Sequence, residues 1–241
     1  MMKSILILLF LFVSANFSFS QTVDEIIDMH IKAIGGSENL DKIQTAKIEA
    51  VSSVAGFDIP LIFSMKKPNN VLLEINVQGM VMKQGYDGKT AWVLNPFQGT
   101  PVIETLKGAE AKNLIRTSDI DGLLYNYSKK GFKAELTGKE NIEGAETFNV
   151  KLTDADGDFI NYYIDTENLM IVKQVSITKS GEKTITSTSS FSNYKPVENV
   201  MIAFDMLLSS SDNPMGQQKI KLSSYTPNVE IDETIFKMPE E

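Results

Sequence analysis

Few side chains in this sequence carry the chemistry of catalysis or metal binding, and those few stand apart from one another. Among 241 residues there is one histidine, His30, and no cysteine. That removes thiol nucleophiles, thiolate metal sites, disulfides and cysteine lipidation together. It also leaves zinc binding and most imidazole catalysis without a second ligand or partner. His30 falls beside an apolar helical stripe and reads as a packed or half-exposed helix residue. The acidic run Asp154-Ala155-Asp156-Gly157-Asp158 offers the oxygen ligands that calcium needs. It lacks the full calcium loop closed by a bidentate glutamate, and with a strand pattern on each side it reads as a hairpin turn. Glu140, Glu143 and Glu146 lie near Gly144 in a solvated loop without an acid/base context. No G-x-S-x-G, phosphate loop or H-E-x-x-H occurs. The expectation is a protein that is not an enzyme and needs no metal or cofactor. A carboxylate-based hydrolase stays as an alternative, because glycosidase-type pairs leave no local motif.

Charge and composition narrow the partners. With 23 Lys+Arg against 31 Asp+Glu the formal charge is -8, and 42% hydrophobic with 22% charged residues is an ordinary globular balance. A chain of this size buries roughly 70% of its extended surface, enough for a core without disulfides. Residues 1–20 read as a signal peptide. Lys3 supplies the positive start, Ile5 to Val13 the apolar run, and Ser18 and Ser20 the small residues before a cleavage site at Gln21. The run is far short of the roughly 20 residues that span a bilayer. Removing Lys3 leaves 22 basic and 31 acidic residues, 22 minus 31 or -9. Such a surface repels phosphate backbones and anionic headgroups, so neither nucleic acid nor electrostatic membrane docking is expected. A secreted, cysteine-free chain fits a periplasm.

The elements follow from periodicity. Thr22 and Glu25 form a capping box for a helix whose Val23, Ile26, Ile27, His30, Ile31 and Ile34 share one face until Gly35-Gly36. Ser37 starts a short second helix through Ile43. From Thr45 the period becomes 2. Phe57, Ile59, Leu61, Phe63 and Met65 alternate with more polar residues, and Val71, Leu73, Ile75 and Val77 repeat the pattern. Turns at Gln78-Gly79 and Asp87-Gly88 fold Val71 to Val77, Met80 to Tyr86 and Thr90 to Leu94 into a meander. Pro60 pushes its strand toward an edge or a bulge. Leu106 to Arg116 reads as a helix, and Ser118 starts another that carries Ile120, Leu123, Leu124 and Tyr127 to Gly131. Seven further strands follow, from Phe132 to Tyr225. The fold class is α+β: a single domain over 21–241, with about ten or eleven antiparallel strands curled into a half-barrel.

Three segments carry a family resemblance. Asp87 to Phe97, DGKTAWVLNPF, resembles the D-G-K-T-x-W-x-x-N-P-F stretch of the LolA/LolB-like family of outer-membrane lipoprotein-sorting proteins, and KKPN at Lys66 to Asn69 is similar to that family's K-R-P-N. The ending IDETIFKMP, Ile231 to Pro239, is similar to the family's C-terminus. The resemblance implies a half-open antiparallel barrel with an apolar concave face under a lid of helices. It implies a monomeric periplasmic carrier that shields lipoprotein acyl chains, loaded by an inner-membrane ABC transporter and unloaded to an outer-membrane acceptor. A lipid-binding envelope-stress sensor or regulatory module on the same fold is the alternative. The implied acyl-binding surface is Phe57, Ile59, Leu61, Phe63, Met65, Leu73, Ile75, Val77, Met80, Met82 and Trp92. Methionine's flexible thioether suits chains of variable shape. The implied lid comprises Ile120, Leu123 and Leu124, with Lys67 where the family has an arginine latch. Lysine keeps the charge but not the planar fork of donors. Periodicity alone reads the same apolar faces as filling a core, and the discriminator is space left beneath the lid.

Overall fold

The computed structural model describes residues 21–213 and 216–240. The signal peptide expected over residues 1–20 lies outside them. The first six strands, β1 (Thr45–Val54), β2 (Phe57–Lys66), β3 (Asn70–Val77), β4 (Met80–Asp87), β5 (Ala91–Asn95) and β6 (Val102–Thr105), form a meander. The last seven form a second: β7 (Lys133–Ile142), β8 (Ala145–Thr153), β9 (Phe159–Asp165), β10 (Ile171–Ser180), β11 (Lys183–Val197), β12 (Val200–Ser210) and β13 (Gln218–Pro227). One seam unites them. β1 pairs antiparallel with β13 from Ala46↔Pro227 to Ser53↔Lys219, with a bulge between Glu49 and Ala50. The result is a curled, open sheet of 13 strands with β6 at one edge and β7 at the other.

Helices cover the concave side. In α1 (Val23–Ala33) the expected capping box is present, with Thr22 Oγ1 accepting from Glu25 N–H and Glu25 accepting from Thr22 N–H. Its buried stripe of Ile26, Ile27, His30 and Ile31 joins Leu40 and Ile43, at the end of α2 (Ser37–Lys42), in packing on Val150, Leu152, Ile160 and Ile164. The third helix, α3 (Gly108–Thr117), lies in the connection between the two edge strands, so that connection must cross the sheet. It touches β4 and β5 on one side and β10 on the other.

Three expectations change. The strand count is 13 rather than ten or eleven, because β1 and β6 are also strands. β1 points small residues, Ala46, Ala50 and Ser52, into the core and so lacks a strong apolar alternation, and β6 is four residues long. The helix expected from Ser118 to Gly131 is instead a chain of turns. Its apolar spacing is helical, but Gly122 (φ 75°) and Asn126 (φ 53°) adopt left-handed backbone that no α-helix accommodates. Pro60 belongs to an interior strand. It faces Val51 of β1, while the ladder to β3 begins only at Leu61, so the proline occupies a local edge.

Trp92 also sits elsewhere than expected. Ala91 points into the cluster of Met65, Val71, Tyr86 and Leu114, and Trp92, the next residue, points to the opposite face. There it packs with Leu72 and Phe236, and its Nε1–H donates to Phe236 O at 2.8 Å. The C-terminal 3₁₀ turn Glu233–Phe236 thus seals the outside of the sheet. Gly85, opposite Trp92 in the ladder, is required there, because a Cβ would fall within the indole ring. Gly85→Ala should therefore destabilise the protein by about 2 kcal/mol through overpacking. Denaturant unfolding followed by circular dichroism checks this, and an unchanged midpoint would show that the indole can move aside.

Candidate functional site

A cavity of about 560 Å³ opens between the helices and the floor formed by β9 to β12. Its apolar wall comes from Ile31 and the C-cap Ile34 at the first helix and from Leu40 and Ile43 at the second. Ile120, Leu123 and Leu124 form its roof, together with Asn113, Arg116 and Thr117 of α3. The floor carries Ile160 and Tyr162 on β9 and Leu208 on β12, with Gln174, Ser176, Ser187 and Ser189 between them. His30 lines the cavity and is 4% exposed. Its Nδ1–H donates to Leu169 O at 2.7 Å. Burial pushes the imidazole pKa down, and the carbonyl bond opposes that only in part, so the ring is neutral at pH 7.

The acyl-binding residues expected from the sequence occupy the neighbouring half of the same face, with Trp92 excepted. Cross-strand pairs Phe63↔Leu73, Leu61↔Ile75, Ile75↔Met82 and Val77↔Met80 put them on one surface. Met65 is packed under Leu114 of α3 with Val71, Tyr86 and Ala91. Leu61 clusters with Ile59, Phe63, Leu73 and Ile75 and with Leu208 across the seam. Phe57 and Met80, at adjacent hairpin tips, are 66% and 45% exposed. None of the eleven expected acyl-binding residues lines the cavity, whereas Ile120, Leu123 and Leu124 all do.

The roof is held at several points. Lys67 Nζ lies 2.9 Å from Asp121 Oδ1 in the roof and donates to Leu40 O at 2.9 Å. Tyr125 OH donates to Asp41 and Tyr127 OH to Asp24, which ties the roof to the helices below. On the far side, Lys112 meets Asp154, Asp156 and Asp158, while Arg116 bonds Asp154 (3.0 Å) and Thr178 (3.0 Å). The acidic run is indeed the β8–β9 hairpin turn, with Asp154 N–H donating to Asp158 O. Its carboxylates grip α3. This clamp and the serine-rich floor escaped the sequence reading. The only signal was the alternation Gln174-x-Ser176 and Ser187-x-Ser189, which sets polar side chains on one face of both strands.

No family model and no curated protein matches the chain. Solved structures do. A DUF1329 family protein from Desulfovibrio piger superimposes with a TM-score of 0.62 at 14% identity, covering 90% of this chain and 98% of its own. A LolA superfamily protein from Nitrosomonas europaea gives 0.60 at 14% identity, with the same coverages of 90% and 98%. A domain from Vibrio parahaemolyticus assigned to outer membrane lipoprotein sorting gives 0.55 at 12% identity, over 88% and 94%. The fold is LolA-like.

In this LolA-like sheet the clamp on α3 has a defined pH window. Burial alone would raise the pKa of Asp158, but the Lys112 hydrogen bond, the Lys179 N–H and the charges of Lys112 and Arg116 outweigh it and hold the carboxyl below its ordinary 3.8. A depressed carboxyl stabilises the fold above its unfolded pKa and loses that contribution as pH falls through the folded one. Lys112 shifts the other way. Burial lowers its pKa, yet hydrogen bonds to Asp156 and Asp158 with the charges of Asp154 and Asp158 drive it above the ordinary 10.5. Its contribution is present below that value and lost as pH climbs through the raised one. Amide exchange in residues 108–117, corrected for intrinsic rates, should be constant between about pH 5 and 9 and accelerate below about pH 4. Lys112→Met should raise it at least tenfold or so at neutral pH, because Asp158 is left buried with a partner removed. Unaltered exchange in that variant would mean that apolar packing alone holds the helix.

Proposed function

We propose that the protein is a periplasmic carrier that shields the acyl chains of lipoproteins and delivers them towards the outer membrane. The observation that carries this reading is the cavity of about 560 Å³, left between the roof and the sheet where an ordinary core would be close-packed. Its volume falls within the roughly 300–1,000 Å³ of small-molecule sites. Each methylene moved from water to such a site gains roughly 0.8 kcal/mol, so a single chain supplies ample binding energy. The Vibrio domain's assignment to lipoprotein sorting supports the same reading. The apolar surface from Phe63 and Leu73 to Met80 and Met82 would extend the binding face when the roof lifts. Lys67, paired to Asp121, would act as the latch that the lid must break. An inner-membrane ABC transporter and an outer-membrane acceptor are the proposed partners, and the carrier works as a monomer of residues 21–241. Among the described residues no helix is long and apolar enough to cross a membrane.

Leu123→Glu tests the cavity, because an ionised side chain there is costly once an aliphatic chain excludes water. The variant should keep the parent's melting transition and lose at least about tenfold in affinity for a fluorescent fatty-acyl probe, which corresponds to roughly 1.4 kcal/mol. A folded variant that binds as the parent does would remove the cavity from the mechanism. Native mass spectrometry of the mature protein from its own envelope adds the cargo: a co-purifying lipidated polypeptide is expected, and a protein that never carries an acyl-bearing mass overturns the reading.

A further inference from the structure

A carrier of bare hydrocarbon would need a wholly apolar cavity, and this one has a polar block in its floor. On the concave face Gln174 of β10 stands directly opposite Ser189 of β11, and Ser176 opposite Ser187. Directly opposed side chains have Cβ atoms about 4.5–5.5 Å apart, so these four form one compact patch. Apolar neighbours frame it. Gln174 and Ser176 are paired to Tyr162 and Ile160 on one side, and Ser189 to Leu208 on the other.

The hydrogen-bonding capacity of this patch is largely unused. Ser187 donates to Ser210 at 3.2 Å, but the side chains of Gln174, Ser176 and Ser189 make no hydrogen bond to another described residue. Their polar atoms are open to the cavity rather than sealed off, since the one buried side-chain atom without a partner is Asn149 Oδ1, among the described residues. Asn149 does not line the cavity.

The charged groups around the same space are already matched. Among the described lining residues these are Arg116, Asp121 and His30. Arg116 is held by Asp154 and Thr178, Asp121 by Lys67, and His30 is neutral with its Nδ1–H engaged. No spare cation faces the cavity to neutralise a carboxylate or a phosphate, and an uncompensated anion there would be strongly disfavoured. Amide and hydroxyl groups that both donate and accept suit a neutral head with carbonyl acceptors and hydroxyl or N–H donors.

Building on the carrier reading, we infer that the cavity recognises the neutral ester-and-hydroxyl or amide head of an acylated glyceryl group, through the Gln174, Ser176, Ser187 and Ser189 patch. The acyl chain lies against Ile31, Leu40, Leu123 and Leu124. Anionic heads are excluded because every cation at the site is already paired. Selectivity resides in the patch and binding energy in the apolar wall.

The test uses mature protein, residues 21–241, with three probes sharing one acyl chain: a monoacylglycerol, the free fatty acid at pH 8, and a short diacylglyceryl-cysteine lipopeptide. Affinities come from displacement of a fluorescent acyl probe. The parent should prefer the monoacylglycerol over the fatty-acid anion by at least about tenfold, the effect of one or two hydrogen bonds plus the unpaired charge. Gln174→Met, which keeps the volume, and Ser189→Ala, which removes one oxygen, should each shrink that ratio several-fold, with circular dichroism melts verifying the fold. Sensitivity of the lipopeptide to the same substitutions would assign the head to a lipoprotein anchor, and binding of the monoacylglycerol alone would assign it to a free lipid. Both outcomes support the patch. Equal or tighter binding of the anion by the parent, or a ratio unchanged in both variants, overturns the inference while the carrier reading stands. Failure of all three probes to bind removes the carrier reading itself.

Discussion

The seam between β1 and β13 is the constraint on which the rest of the structure depends. Every other neighbouring pair of strands in the sheet is consecutive in sequence, so each hairpin forms from local contacts. Ala46 and Pro227 must instead find one another across almost the whole chain. Closing a loop of that length is costly in entropy but rises only logarithmically with length, and a long ladder can repay it. Pairing the first strand with the last also fixes the topology. It puts β1 and β13 in the interior of the sheet and drives β6 and β7 to its edges. Because these two strands follow one another in sequence, the residues between them have to run from edge to edge across the concave face.

Helix α3 within that segment is held by different forces on its two sides. Leu114 and Ala111 of α3 pack against the β2–β5 side through Met65, Val71, Tyr86 and Ala91. Lys112 and Arg116 engage carboxylates of the β8–β9 turn and the Thr178 hydroxyl. Asp158 is 2% exposed, so its pair with Lys112 is screened little by salt. Beyond α3 the roof passes over β9 to β12 without filling the space beneath it. The helices reach that space from one side only, and the serines of β10 and β11 are too small to fill it from below. Edge strand β7 carries Lys133, Glu135, Lys139 and Glu140, charges that discourage pairing with another chain.

Much of this was legible in the sequence, and the failures have particular causes. The strands of the first meander were visible because Phe57 to Met65 and Val71 to Val77 alternate, Ile62 and Leu72 apart, and the β8–β9 turn was visible because Asp154 to Asp158 is turn chemistry between strand patterns. Trp92 lies on the face opposite to the one its size suggests, because size does not determine which way a residue points. Ladder register does, and Ala91, opposite Tyr86, takes the inward position. The helical spacing of Ile120, Leu123, Leu124 and Tyr127 does not make a helix because the backbone at Gly122 and Asn126 is left-handed, which apolar spacing does not encode. The clamp was invisible for another reason: Arg116 and Asp154 are 38 residues apart, and only the sheet brings them together.

The roof's attachment also limits how the cavity can open. Thr105 ends one edge strand shortly before Gly108 begins α3, and Lys133 starts the other directly after the roof ends. A segment tethered so closely at both ends behaves like the handle of a bucket, not like a door with a free margin. It can rise only by bowing, or by letting the two edges of the sheet draw together. Access to the cavity is thereby coupled to the curvature of all thirteen strands. A partner that bent the sheet from outside could open the cavity without touching the roof.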